Sequence, residues 1–137
     1  MSVVEMRDVK KHYMLGETRV DALRGVSLEI EKGEFLAVAG PSGSGKSTIL
    51  NMIGCIDNPT EGVVLIDGTE VEHLSDTELT RYRRTKIGFI FQSFNLIPVL
   101  SVYENIEFPL LLRRSMTKKE REKIVMRFVE EVELRDR

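Results

Sequence analysis

Apolar and polar positions change period along the chain, and each change marks an element. Over the first third, apolar residues alternate with polar ones. VVEMRDV (3–9), TRVDAL (18–23) and VSLEI (26–30) read as strands, separated by turns at Gly16-Glu17 and Glu31-Lys32-Gly33. Two runs are continuously apolar, 35–39 (FLAVA) and 87–91 (IGFIF). Both read as strands buried on two faces, neighbours in a parallel sheet. Between them Ile49, Met52, Ile53 and Ile56 recur at helical spacing. Residues 63–66 read as a further strand, with Asp67-Gly68 as a tight hairpin signal. Ser75…Glu78, Ser101…Glu104 and Thr117…Glu120 are capping boxes. They predict helices over about 76–84, from 101 to about 112, and from 117 onward. Pro109 is expected to kink or end the second. In the third, Ile124, Val125, Phe128, Val129 and Val132 form one apolar stripe.

Composition narrows the class. The chain has 137 residues, 42% hydrophobic and 31% charged, the size and balance of one soluble globular domain. A formal charge of -2 argues against broad electrostatic binding of nucleic acid. One cysteine, Cys55, leaves no internal disulfide and fits a reducing compartment, as a small buried thiol. No apolar run reaches the length of a membrane span, and MSVVEMRDVKKHYM lacks the apolar core of a secretion signal. A cytoplasmic location is therefore expected. His12 and His73 stand isolated in the sequence, without metal-ligand spacing. Arg81, Arg83, Arg84 and Lys86 read as a solvated helix face, with a phosphate or partner contact as the alternative.

The chemistry concentrates in 40–48, GPSGSGKST, set between an apolar run and a helical pattern. Strand, G-x-x-x-x-G-K-[ST], helix is the context of a phosphate loop. Gly40, Pro41, Ser42, Gly43, Ser44 and Gly45 let the backbone curl so that successive N–H groups face the oxygens of a triphosphate. The following helix adds free N–H groups and its positive end. Lys46 supplies a compact cation for the β and γ phosphates. The Ser47 hydroxyl is placed to ligate Mg2+, and Thr48 completes the loop.

Flanking stretches identify the kind of phosphate-loop protein. DALRGVSLEIEKGEF, GPSGSGKST, NPTEGVVLIDG and IGFIFQSFNLIPVLSVYEN together resemble the ATPase subunit of ABC transporters, over the whole of 1–137. LGETRVDALRGVSL, NMIGCIDNPTEG and FQSFNLIPVLSVYEN look most like its lipoprotein-releasing LolD and macrolide-exporting MacB branch. The resemblance implies a truncated α/β P-loop NTPase fold. An antiparallel β subdomain would take 1–34 and 62–72, and part of a nucleotide-binding core with a parallel sheet 35–57 and 73–92. Residues 93–137 would begin a helical subdomain. It implies ATP and Mg2+ as ligands, with Tyr13 stacking on the adenine and Gln92 reaching Mg2+ and the attacking water. It also implies a membrane permease received by about 93–108, a second ATPase subunit, and a peripheral place at the inner face of the cell membrane. Phe94, Leu96 and Ile97 fit that receiving surface or burial within the helical subdomain equally well.

The family pattern continues where this sequence stops. An LSGGQ-type signature, an apolar strand ending in paired acidic residues and a switch histidine are not in the 137 residues. No hydrolysis is therefore expected from this chain alone, and a marginal or partner-dependent fold is expected. Three readings stand: the N-terminal part of a transport ATPase, a module that holds nucleotide without hydrolysing it, and a truncated gene product.

Overall fold

The computed structural model describes residues 1–113 and 115–135. It divides into two compact units, Met1–Phe89 and Ile90 onward.

The first unit is built on a four-stranded antiparallel sheet. Strand β1 is Ser2–Leu15, β2 Thr18–Glu31, β3 Glu61–Ile66 and β4 Thr69–Glu70, in the order β2-β1-β3-β4. The separate short strands predicted over 3–9, 18–23 and 26–30 are two continuous 14-residue strands. Their continuity is hidden in the sequence by a bulge at Asp8, which interrupts the period-2 pattern. Asp8 adopts a φ of 45°, and the register of β1 shifts there against both neighbours. Its backbone N–H is taken by the Ser27 hydroxyl at 2.9 Å. On the β3 side, Gly62 makes room for it. A Cβ at Gly62 would lie 2.3 Å from the Asp8 carbonyl oxygen.

Helix α1, Lys46–Ile53, and helix α2, Asp76–Lys86, flank this sheet. A short 3-10 turn, Val71–His73, precedes α2. Core side chains come from every one of these elements. Val4, Met6, Val9, Leu23, Val64 and Ile66 of the sheet meet Met52 and Cys55 at the end of α1, Val71 of the turn and Leu79 of α2. Cys55 is buried as expected, and burial pushes its thiol above the ordinary value against the Arg83 charge. Asp67 and Gly68, both at positive φ, form the tight β3–β4 hairpin.

The two continuous apolar runs do not become strands. Residues 35–39 and 87–91 are irregular and stand outside the sheet. Phe35 is 95% and Ile90 102% exposed, so the expectation of buried parallel neighbours fails in this structure. The physical reason is that such strands need pairing along both edges and cover on both faces. The sheet's four strands do not include these runs, and of them Ile87 packs partly against the core.

In the second unit, helix α3 is Val102–Leu111 and helix α4 is Lys118–Glu131. Pro109 sits inside α3, which runs only two residues further. The helices are joined by Arg121 Nε donating to Glu107 at 3.0 Å, a pair largely shielded from solvent. Val125 and Val129 of the predicted stripe are buried, whereas Phe128 and Val132 are exposed. All three predicted capping boxes form, with Ser75, Ser101 and Thr117 as caps.

Candidate functional site

The phosphate loop leads directly into α1, and the end of that helix is unlike the other three. Helices α2, α3 and α4 each satisfy their first N–H groups with a Ser or Thr side chain and carry a Glu in the first turn. Helix α1 starts from Gly45 with no side-chain cap and no acidic residue in its first turn. Its N-terminal donors and positive end thus meet no capping side chain and no first-turn carboxylate of their own helix. Gly45 holds φ 91°, and a Cβ there would lie 2.8 Å from the Ala22 carbonyl oxygen and 2.9 Å from Leu23 Cδ2. Only glycine lets the loop run this close to β2 while turning into the helix.

Lys46 lies across the loop it belongs to. Its ammonium donates to the Gly40 carbonyl at 2.9 Å and the Pro41 carbonyl at 2.7 Å, with Ser44 Oγ at 3.4 Å. The cation therefore sits at the concave side of 40–45. Ser47 and Thr48 occupy the first turn of α1. A glycine-rich turn, a cation and an uncapped helix end fit a polyphosphate. The Ser47 hydroxyl beside them fits a hard, oxygen-seeking cation such as Mg2+.

Tyr13 lies near the free end of the β1–β2 hairpin, in the same unit. Its hydroxyl donates to Asp57 Oδ2 at 2.8 Å. Asp57 follows the end of α1, so this bond joins Tyr13 to the helix that carries Lys46. Lys11 Nζ donates to the other Asp57 oxygen at 2.6 Å and to the Asn58 carbonyl at 2.8 Å. It also lies 5.0 Å from the centroid of the Tyr13 ring. Burial raises the Asp57 pKa, but donors from Lys11, Tyr13 and the Asn58 N–H outweigh it and hold the carboxyl below the ordinary aspartate value. Burial, then the bond to Asp57 and its charge, push the Tyr13 phenol above its ordinary value, while the Thr48 hydroxyl acts in the opposite sense.

Gln92 is exposed, in a bend of the second unit. In that unit Phe94 is 93% exposed and Leu96 also faces solvent, while Ile97 is half-buried. The loop between Gln92 and α3 is fastened by one side chain that sequence reading passed over. Asn105 accepts from the Ile97 N–H at 2.8 Å and donates to the carbonyls of Ile97, Leu100 and Ser101.

Other candidates change meaning in three dimensions. His73 is not isolated: its Nε2 lies 3.2 Å from Glu70, with Glu72 close by. Sequence spacing did not bring these together because the 3-10 turn does. Of the basic run, Arg83 donates to the Cys55 carbonyl at 2.6 Å and Lys86 to Asp67 at 2.8 Å. Both therefore have structural partners, unlike a purely solvated face. Asp57 was overlooked for a simple reason. It sits in a turn motif, DNPTEG, and only folding shows what its carboxylate holds.

Comparison with known proteins agrees with this geometry. The family model described as ABC transporter matches residues 23–137. An uncharacterized ABC transporter ATP-binding protein of Methanocaldococcus jannaschii, MJ0796, is 49% identical over 98% of this chain and 58% of its own length. A macrolide export ATP-binding/permease protein, MacB, of Bdellovibrio bacteriovorus is 47% identical over 80% of this chain and 17% of its own. A dimeric structure of the MJ0796 cassette in a post-hydrolysis state, bound to ADP and Pi, superposes with a TM-score of 0.86 at 50% identity. It covers 97% of this chain and 58% of that one. The chain thus spans little more than half the length of MJ0796, and its fold is that of part of an α/β P-loop NTPase. With the loop, the uncapped helix and the family match in agreement, the chain belongs to the ABC transporter family.

Proposed function

We propose that this chain binds Mg2+–ATP and is the ATP-binding part of a transporter that exports its substrate or extracts it from the membrane. The single observation that carries the binding reading is the start of α1, where an uncapped helix end, a glycine-rich loop and the Lys46 ammonium converge. Gly40 to Thr48 cradle the phosphates, Lys46 neutralises the β and γ groups, and Ser47 ligates Mg2+. Tyr13 stacks on the adenine. On its family motif alone, Gln92 takes the role of second Mg2+ ligand and positions the attacking water. When bound, Mg2+ draws charge from the β and γ oxygens; the protein's part is to bind and orient.

Transport is supported by relatives named as ATP-binding/permease proteins for macrolide and pyoverdine export. The exposed Phe94 and Leu96, on a loop fastened by Asn105, support docking of a permease on about 93–108. Among the described residues no helix is long and apolar enough to cross a membrane. A permease partner would hold the protein peripherally at the inner face. Pairing with a second cassette is supported by the dimeric MJ0796 structure.

Titration calorimetry with Mg2+–ATP tests the binding reading. Lys46→Ala should abolish or strongly weaken affinity, since it removes the loop's cation. Unchanged affinity would sink the phosphate assignment. A second reading is a module that holds nucleotide without hydrolysing it. It predicts no phosphate release by the purified chain; release that disappears in Lys46→Ala would overturn it.

A further inference from the structure

Strand β1 is braced on both edges only as far as Lys10. Its pairing with β3 runs from Val4 to Lys10, whereas its pairing with β2 continues to Leu15. Residues 11–15 therefore form a two-stranded overhang, and Tyr13 sits in it. Isolated two-stranded ribbons are marginal in water. A ring presented from such an overhang would swing unless something outside the sheet held it.

The turn after α1 takes the place of the absent strand. Thr60 N–H donates to the Lys10 carbonyl at 2.8 Å, and His12 N–H reaches the Thr60 hydroxyl at 3.3 Å. Asp57 then grips the two side chains that share one face of the overhang, Lys11 and Tyr13, with one oxygen each. The Lys11 side chain is only 13% exposed, so its ammonium is shielded and fixed, not a swinging surface charge. Its place over the Tyr13 ring covers one face, so a stacked partner would take the other. A cation on one face also draws π density toward itself, which eases stacking of an electron-rich base on the opposite face.

We propose that Asp57 is a positioning residue for the nucleotide base, fixing the Tyr13 ring at a set place relative to the phosphate loop, with Lys11 closing the ring's other face. This rests on the reading of Tyr13 as the base-stacking residue. Because Asp57 follows the helix that begins at Lys46, one short segment sets the spacing between the base half and the phosphate half of the site.

The experiment compares two ligands by calorimetry in the presence of Mg2+: ATP, and inorganic tripolyphosphate, which has no base. Asp57→Ala should weaken ATP about three- to tenfold, the effect of about one net hydrogen bond, and leave tripolyphosphate unchanged. Tyr13→Phe keeps the ring and loses the hydroxyl's contacts with Asp57 and Thr48, so it should behave alike and carries the test where Asp57→Ala folds poorly. The double variant should lose little more than either single one. Equal weakening of both ligands would show a merely structural role and overturn the proposal, as would additive losses. Failure of the underlying reading looks different: Tyr13→Ala would then leave ATP affinity intact. If Tyr13→Ala weakens ATP while Asp57→Ala and Tyr13→Phe do not, stacking stands and positioning by Asp57 is refuted.

Discussion

Gly62→Ala is the most severe single-methyl change that this fold predicts. Gly62 holds φ 87°, where an L side chain is strained by about 1–3 kcal/mol. Its new Cβ would lie 2.3 Å from the Asp8 carbonyl oxygen and 2.6 Å from that of Arg7. That is about 1 Å short of ordinary contact. Both obstacles are backbone atoms of the middle strand, so no rotamer change relieves them. Forcing β1 and β3 apart costs a further ~1–3 kcal/mol. Alanine's smaller loss of chain entropy returns about 0.5–1 kcal/mol. The net is a destabilisation of about 3 kcal/mol, a large part of the ~5–15 kcal/mol that holds an ordinary domain. Gly68→Ala supplies the control. It too has a positive φ, 75°, but its Cβ would meet nothing within 4 Å. It should cost about 1 kcal/mol from backbone strain alone. Urea unfolding followed by far-UV circular dichroism measures both. Equal losses, within about 0.5 kcal/mol, would refute the claim that Gly62 is required by the Asp8 bulge.

Two further outcomes follow from side chains that each hold several groups. Asn105→Ala should destabilise the second unit by about 2 kcal/mol, because it removes the partner of the Ile97 N–H and of the Leu100 carbonyl, while the carbonyls of Ile97 and Ser101 keep backbone donors; faster protease cleavage within 94–100 is the readout, and an unchanged cleavage rate contradicts it. The Asp57 carboxyl is held below its ordinary value in the folded chain, so its contribution is fully present above the unfolded aspartate pKa of about 3.9 and is lost as pH falls through the lower folded value. The stability gap between the native chain and Asp57→Asn should accordingly close as pH is lowered from 6 toward 3, and a gap that stays constant to pH 3 counts against the pairing.

How legible the site was depends on how local its signals are. A capping box spans four residues and needs no distant partner, which is why Ser75, Ser101 and Thr117 were readable one turn ahead. The phosphate loop is equally local, since its glycines and Lys46 shape one another. The strands were less readable. The Asp8 bulge spoils the alternation of 3–15, and the residues that accommodate it, Ser27 and Gly62, are far off in sequence. An apolar run such as 35–39 announces a strand buried on both faces but does not name what would bury it. In this structure Phe35 and Ile90 stay exposed, because pattern specifies a need and only neighbours meet it. Asp57 was unreadable for the same reason: its role exists only once the overhang of β1 lies beside the turn after α1.

The core and the proposed nucleotide residues occupy the same part of the chain. Met52 and Cys55, near the end of α1, are buried among Val4, Met6, Val9 and Val64 of the sheet. None of these belongs to 35–39 or 87–91. The helix that carries Lys46 and the strand that carries Tyr13 are thus fixed to each other twice, once through this core and once through Asp57. Of the two runs outside the sheet, 87–91 adds Ile87, packed against this core, and Phe89, whose ring lies beside Gly54 at the end of α1. Removing Cys55 or Met52 would therefore be expected to move the base half against the phosphate half. Burying 35–39 would change solubility more than binding geometry. Holding a nucleotide requires the first arrangement only, whereas hydrolysis also requires groups to activate water. On this argument, the proposed nucleotide binding rests on that core and on Asp57.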